Sequence, residues 1–134
     1  MAVLVLLDTN FMMVPSQFRV DIFTELQRLC SFQYKIAVIE ETVEELENII
    51  QKQKGKEQKA AELALQLIRE KGIQVISSQA KTKTLKNADQ LILALAEQGN
   101  TVVATQDRLL RDQLRAKNIP VIVVRQKNHL EYAA

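Results

Sequence analysis

Two aspartates in this chain stand directly behind apolar runs. Asp8 closes AVLVLL in the segment LLDTN, and Asp107 follows TVVAT in VVATQD. A third, Asp89, heads the apolar segment of NADQLILALA, and five glutamates crowd EETVEELE at residues 40–47. Carboxylates gathered without His or Cys partners suit hard, oxygen-loving cations such as Mg2+ or Mn2+.

Each acid also has a plainer reading. Asp8 can be a turn residue in Asp-Thr-Asn, and Asp107 an N-cap for the helical pattern that follows it. Asp89 is harder to explain away. Its neighbours at helical spacing are Ile92, Leu93 and Ala96, so it is expected to point toward the packed side of its helix. A charge is costly there unless it is paired, hydrogen-bonded or metal-bound. In EETVEELE, phase narrows the choice. Val43, Leu46, Ile49 and Ile50 define a buried arc at about 100° per residue. Glu44 lies opposite that arc, and Glu45 and Glu47 lie on its two borders. Phase excludes Glu44 and leaves Glu45 and Glu47 equivalent; the remaining glutamates are expected on a solvated face.

The elements that must position these acids can be read from periodicity. Five short runs have strand character: 2–7, 36–39, 73–76, 101–105 and 121–124. Four are continuously apolar, as in strands covered on both faces. Helical patterns fill the intervals at 18–31, 40–53, 57–71, 88–98 and 107–117, with Gly72 placed as a C-cap. Residues 51–59 form a helix end or mobile connection, and 77–86 a loop. The alternation predicts an α/β fold: a three-layer α/β/α sandwich on a five-stranded, mostly parallel sheet. In such sheets ligands bind beyond the carboxyl ends of the strands, which makes Asp8 and Asp107 candidates for one shared site.

Composition bounds the rest. The 134 residues fit a single domain, 1–134, and 47% hydrophobic content is enough for a core without disulfides. Three Gly and two Pro argue against turn-rich all-β architecture or disorder. The apolar N-terminus lacks a basic region and reads as a strand rather than a signal peptide. No run reaches membrane-spanning length. Cys30, the lone cysteine, sits in an apolar-periodic stretch as a core thiol, consistent with a reducing cytoplasm. With no Trp and few aromatic residues, base-stacking platforms are not expected.

Taken together, LLDTNFM, TVEELENI, NADQLILALA and VVATQDRLLRDQL resemble, in order, the four motifs of the PIN-domain nucleases. The resemblance spans Val3 to about Val124. The Glu-Leu match selects Glu45 over Glu47, and the implied metal-binding set is Asp8, Glu45, Asp89 and Asp107. Asn10 is then implied to orient Asp8, and Thr105 to support the site by hydrogen bonding. The implied activity is Mg2+- or Mn2+-dependent endoribonucleolytic hydrolysis leaving 5′-phosphate and 3′-hydroxyl ends. The sequence is similar to the archaeal and eukaryotic branch associated with small-subunit ribosomal RNA processing. That branch often carries a second acid where Gln90 stands. The bacterial and archaeal toxin branch shares the same four acids. RNA, a homodimeric copy and either a ribosome-assembly factor or an antitoxin are the partners this implies.

Substrate grip is expected from basic residues flanking the acids: Arg108, Arg111 and Arg115 after Asp107, and Lys81, Lys83 and Lys86 before Asp89. His129 lies outside every motif and is given no catalytic role. Two rivals remain. A phosphatase of the haloacid dehalogenase type also opens with a strand and an Asp, but wants Asp-x-Asp where this chain has Asn10. A PIN-fold scaffold could bind RNA or ribosome-assembly factors without cutting.

Overall fold

A computed structural model describes residues 2–77 and 87–133 of the chain. The first strand, β1 (Val3–Leu7), has Val5, Leu6 and Leu7 wholly buried, as its continuously apolar sequence requires. The chain then turns directly into two short helices, α1 (Thr9–Met12) and α2 (Val14–Phe18), and continues into α3 (Ile22–Leu29). Next come β2 (Tyr34–Ile39), α4 (Glu40–Lys52), α5 (Lys56–Glu70) and β3 (Gln74–Ile76). The second half runs α6 (Ala88–Ala96), β4 (Thr101–Ala104), α7 (Arg108–Ala116), β5 (Val121–Arg125) and β6 (His129–Tyr132).

The sheet order is β3-β2-β1-β4-β5-β6. All neighbours are parallel except β5 and β6. Alternate residues of β1 supply two cores. Val5 and Leu7 pack with Phe11, Leu26, Leu46 and Ala60 from α1, α3, α4 and α5. Leu6 packs on the other face with Leu91, Ile92, Leu110 and Leu114 from α6 and α7. The three-layer α/β/α sandwich is therefore as expected, with the helices split five to two among the described residues.

Three differences from the sequence reading have physical causes. The sheet has a sixth, antiparallel strand, joined to β5 by a turn in which Gln126 and Lys127 hold φ of 54° and 57°. Such left-handed turns are usually announced by Asn or Gly, and HLEY has only Leu130 fully buried. The helix expected at 18–31 is broken: Phe18 ends α2, Arg19 turns left-handed at φ 55°, and Asp21 caps α3 by accepting from Phe23 and Thr24 N–H at 3.1 and 3.2 Å. Short helices α1 and α2, too brief for periodicity to reveal, occupy the segment after Asp8. The connection between α4 and α5 shrinks to three residues, 53–55. Residues 78–86 of the expected loop, with Lys81, Lys83 and Lys86, lie outside the described residues.

From α3, two side chains reach across to β6. Glu25 accepts the Leu130 N–H at 2.9 Å, and Arg28 donates to the Leu130 carbonyl at 2.7 Å. The pair is also bonded to itself at 3.0 Å. Cys30 is buried just beyond, with burial raising its thiol pKa. No helix among the described residues is long and apolar enough to cross a membrane.

Candidate acidic site

The chain leaves β1 for one side of the sheet, forming β2 and β3, and later returns to form β4 on the other side. The order of strands therefore switches between β1 and β4, and it is beyond the carboxyl ends at such a switch that open parallel sheets form a ligand-binding crevice. Asp8 follows β1 and Asp107 follows β4, so both are delivered to this crevice by topology.

Asp8 is 4% exposed and is the N-cap of α1. One carboxylate oxygen accepts the Phe11 N–H at 2.7 Å, and the other accepts from the Thr105 hydroxyl. Thr105, itself fully buried, accepts the Asp107 N–H at 3.0 Å. One hydroxyl thus links the two strand ends. Asp107 caps α7, accepting the Leu110 N–H at 2.8 Å. The N-cap reading of Asp107 holds, and Asp8, expected as a turn residue, is an N-cap as well. Asn10, implied by resemblance to orient Asp8, stands exposed on α1. The bonds that hold Asp8 come from Phe11 and Thr105.

Asp89 lies in the first turn of α6, after the N-cap Asn87. It is exposed, contrary to the expectation that it would point into the packing with Ile92 and Ala96. Its position at the helix start carries the carboxyl off the end of the apolar stripe. Even so, partial desolvation, then Asp107, then Glu45 raise its pKa. Gln90 is exposed beside it, its N–H bonded to Asn87 at 2.8 Å.

On α4, Glu44, Glu45 and Glu47 are all exposed. Glu45 alone among these three is tied to the crevice, accepting from the hydroxyl of Thr9 and acting electrostatically on Asp89. Thr9 also bonds the buried Thr42 at 3.3 Å. Glu41, expected on a solvated face, is instead buried. The arc inferred from apolar residues alone omitted Thr42, whose burial extends the inner face of α4 toward the Glu41 and Glu45 side. Thr9 and Glu41 are the residues that sequence reasoning missed. The threonine next to Asp8 was a usable signal, whereas Glu41 was one of five glutamates with no distinguishing mark.

Burial pushes Asp8 up to about 6; its bonds to Thr105 and Phe11 oppose this, and the charges of Asp89 and Asp107 add to it. The four acids therefore form one interacting set drawn from four elements. In the arrangement described, no three His, Cys, Asp or Glu side chains among the described residues stand close enough to hold an ion. Asp8 and Glu45 direct oxygens to Phe11, Thr105 and Thr9. Chemically the donor set suits a hard divalent cation, because oxygen-only carboxylates of like charge are what such a cation would neutralise.

The basic residues divide. Arg108 is exposed and Arg111 half-buried on α7, one and four residues after Asp107, and Arg115 is exposed further on. A cavity of about 770 Å3 lies at the amino end of the parallel strands, lined by Val3, Phe32, Thr101, Pro120 and Tyr132. It is at the end of the sheet opposite Asp8 and Asp107.

An α/β/α sandwich with acids at this switch point defines the class. The chain belongs to the PIN-like domain family, whose sequence pattern matches residues 5–127. It is similar to ribonuclease VapC4 of Methanocaldococcus jannaschii, with 35% identity over 127 residues, covering 92% of each chain. Among solved structures it is similar in fold to the PIN-domain endonuclease Utp24, with a TM-score of 0.78 and 21% identity over 96% of this chain and 90% of that one. It is also similar to VapBC2 from Rickettsia felis, solved on a DNA fragment from its promoter. That match has a TM-score of 0.64 and 22% identity over 91% of this chain and 99% of that one.

Proposed function

We propose that this chain is a divalent-cation-dependent endoribonuclease whose cation is held by Asp8, Glu45, Asp89 and Asp107. The observation that carries the reading is the link between Asp8 and Asp107 through the Thr105 hydroxyl, with Asp89 acting electrostatically on Asp8 and Glu45 on Asp89. Likeness to a ribonuclease over nine-tenths of both chains supports RNA as the substrate. Bound Mg2+ or Mn2+ would neutralise phosphate charge and lower the pKa of a bound water.

The chain's own residues do the positioning. Thr105 and Phe11 fix Asp8, Thr9 fixes Glu45, and helix capping fixes Asp107. Arg108 and Arg111 supply positive charge beside Asp107 for the phosphates flanking the scissile one, and Lys83 and Lys86 do the same before Asp89. Hydrolysis breaks the P–O3′ bond: water oxygen joins phosphorus and the 3′ oxygen leaves as a hydroxyl. The ends are 5′-phosphate and 3′-hydroxyl.

The sequence-level relation to a VapC-type ribonuclease favours a toxin with an antitoxin partner, in the cytoplasm, over ribosomal RNA processing with a ribosome-assembly factor. The Utp24 likeness is one of fold. A homodimer is part of this reading, and light scattering of the purified chain tests it. The activity test incubates labelled RNA with the purified chain and Mn2+, Mg2+ or EDTA. Cleavage with either cation and none in EDTA is expected. Cleavage persisting in EDTA overturns the cation dependence. Binding without cleavage under any cation replaces the enzyme with a scaffold.

A further inference from the structure

A second charged surface is formed where α2 packs on α5. The C-terminal end of α2 and the first turn of α5 enclose an open cavity of about 400 Å3 lined by Ser16, Gln17, Arg19, Lys56, Glu57 and Lys59. Three of these six are cations and one is an anion. Arg19, Lys56 and Lys59 are all exposed, and no acid among the described residues forms an ion pair with them.

The placement of the lysines works against local stability. Lys56 and Lys59 sit at the start of a fifteen-residue helix, where the backbone dipole disfavours positive charge. The N-cap is Gly55, at φ 70°, with no side-chain oxygen for the first N–H groups. Helix formation gains nothing from cations here, and a local rule broken without structural return marks a functional surface. The groove is also near the acids along the chain. Ser16 follows Asp8 by eight residues, through α1 and α2.

We propose that Arg19, Lys56 and Lys59 form a phosphate-binding exosite that holds the RNA strand a few nucleotides from the acidic crevice. This rests on the ribonuclease reading above. The chemistry is that of a polyanion: three cations without an ion-pair partner among the described residues, with the Ser16 hydroxyl and Gln17 amide as donors. The exosite would make long RNAs better substrates than short ones and would contribute its own share of the salt dependence.

The test compares K56E/K59E with K35E/K117E. The control makes the same change in charge, at Lys35 on β2 and Lys117 beyond α7, the latter lining the cavity at the opposite end of the sheet. Melting curves establish folding, and K56Q/K59Q is the milder version should the reversal unfold the chain. Anisotropy with a labelled 20-nucleotide RNA in EDTA reads binding; cleavage of 20- and 4-nucleotide RNAs in Mn2+ reads use. For K56E/K59E we expect at least a ten-fold loss of affinity for the longer RNA and a shallower salt slope. Its cleavage of the short RNA should stay within two-fold of wild type. Equal losses in the control, or no loss, overturn the exosite. So does unchanged RNA binding with lost binding of a polyglutamate peptide, which would assign the surface to an acidic protein. If wild type cleaves neither RNA yet K56E/K59E alone loses binding, the nuclease reading fails and the exosite stands.

Discussion

Thr105 donates to Asp8 and accepts from the backbone of Asp107, so the two strand-end acids are coupled through one buried hydroxyl. Its place after TVVA was legible as part of a motif; the double bonding was not, because a hydroxyl's partners depend on the register of β1 against β4. Glu45 shows the same limit. Helical phase left it equal to Glu47, and what separates them is Thr9, thirty-six residues away. The adjacent pair Glu44 and Glu45, both exposed, makes a controlled comparison. Glu45→Gln should lower cleavage about 100-fold or more, on the order of 3 kcal/mol in transition-state terms. Glu44→Gln should stay within a small factor of wild type. Rates at limiting and saturating Mn2+, with circular dichroism to verify folding, check this. If the two effects are reversed, Glu45 is not the residue α4 contributes.

At the scale of elements, four of the five parallel strands were readable because burial on both faces forces continuous apolar runs, whereas β3 is an exposed edge strand read from the short run at 73–76. Residues 9–18 and 129–132 were not readable, since two short helices and a half-exposed edge strand leave no sustained period. Nor did the stripe through Ile92 and Ala96 locate Asp89, because a first-turn residue can leave its helix end without joining the packed face. The turn that creates β6 keeps two non-glycine residues left-handed, at Gln126 and Lys127. Gln126→Gly should therefore stabilise the hairpin by up to about 1 kcal/mol. Differential scanning calorimetry should register this as a rise of roughly 2–5 °C. A lower melting temperature would mean that the glutamine side chain contributes more than its backbone strain costs.

For the molecule as a whole, burying Asp8 links stability to pH. Its folded-state pKa is raised from 3.8 to about 6, so folding favours the protonated acid. That contribution is complete below about pH 3.8 and is lost as pH rises through about 6. Two units correspond to about 3 kcal/mol. Metal-free urea unfolding should accordingly show this component of stability falling between pH 4 and 7, and Asp8→Asn should flatten it. Mn2+ at pH 7 should restabilise the wild type and have much less effect on Asp8→Asn. An unchanged pH profile in Asp8→Asn would show that other groups carry the dependence.

The Glu25–Arg28 pair bears on how copies of this chain can meet. β6 is the last strand of the sheet, and an unpaired outer strand is a template on which another chain can continue the ladder. Here the N–H and carbonyl of Leu130 are already taken by a carboxylate and a guanidinium from α3. Together these two side chains imitate one residue of a strand that is not there. A neighbouring copy could extend the sheet at that point only by evicting a bonded ion pair. Edge-to-edge pairing through β6 is thereby disfavoured at Leu130.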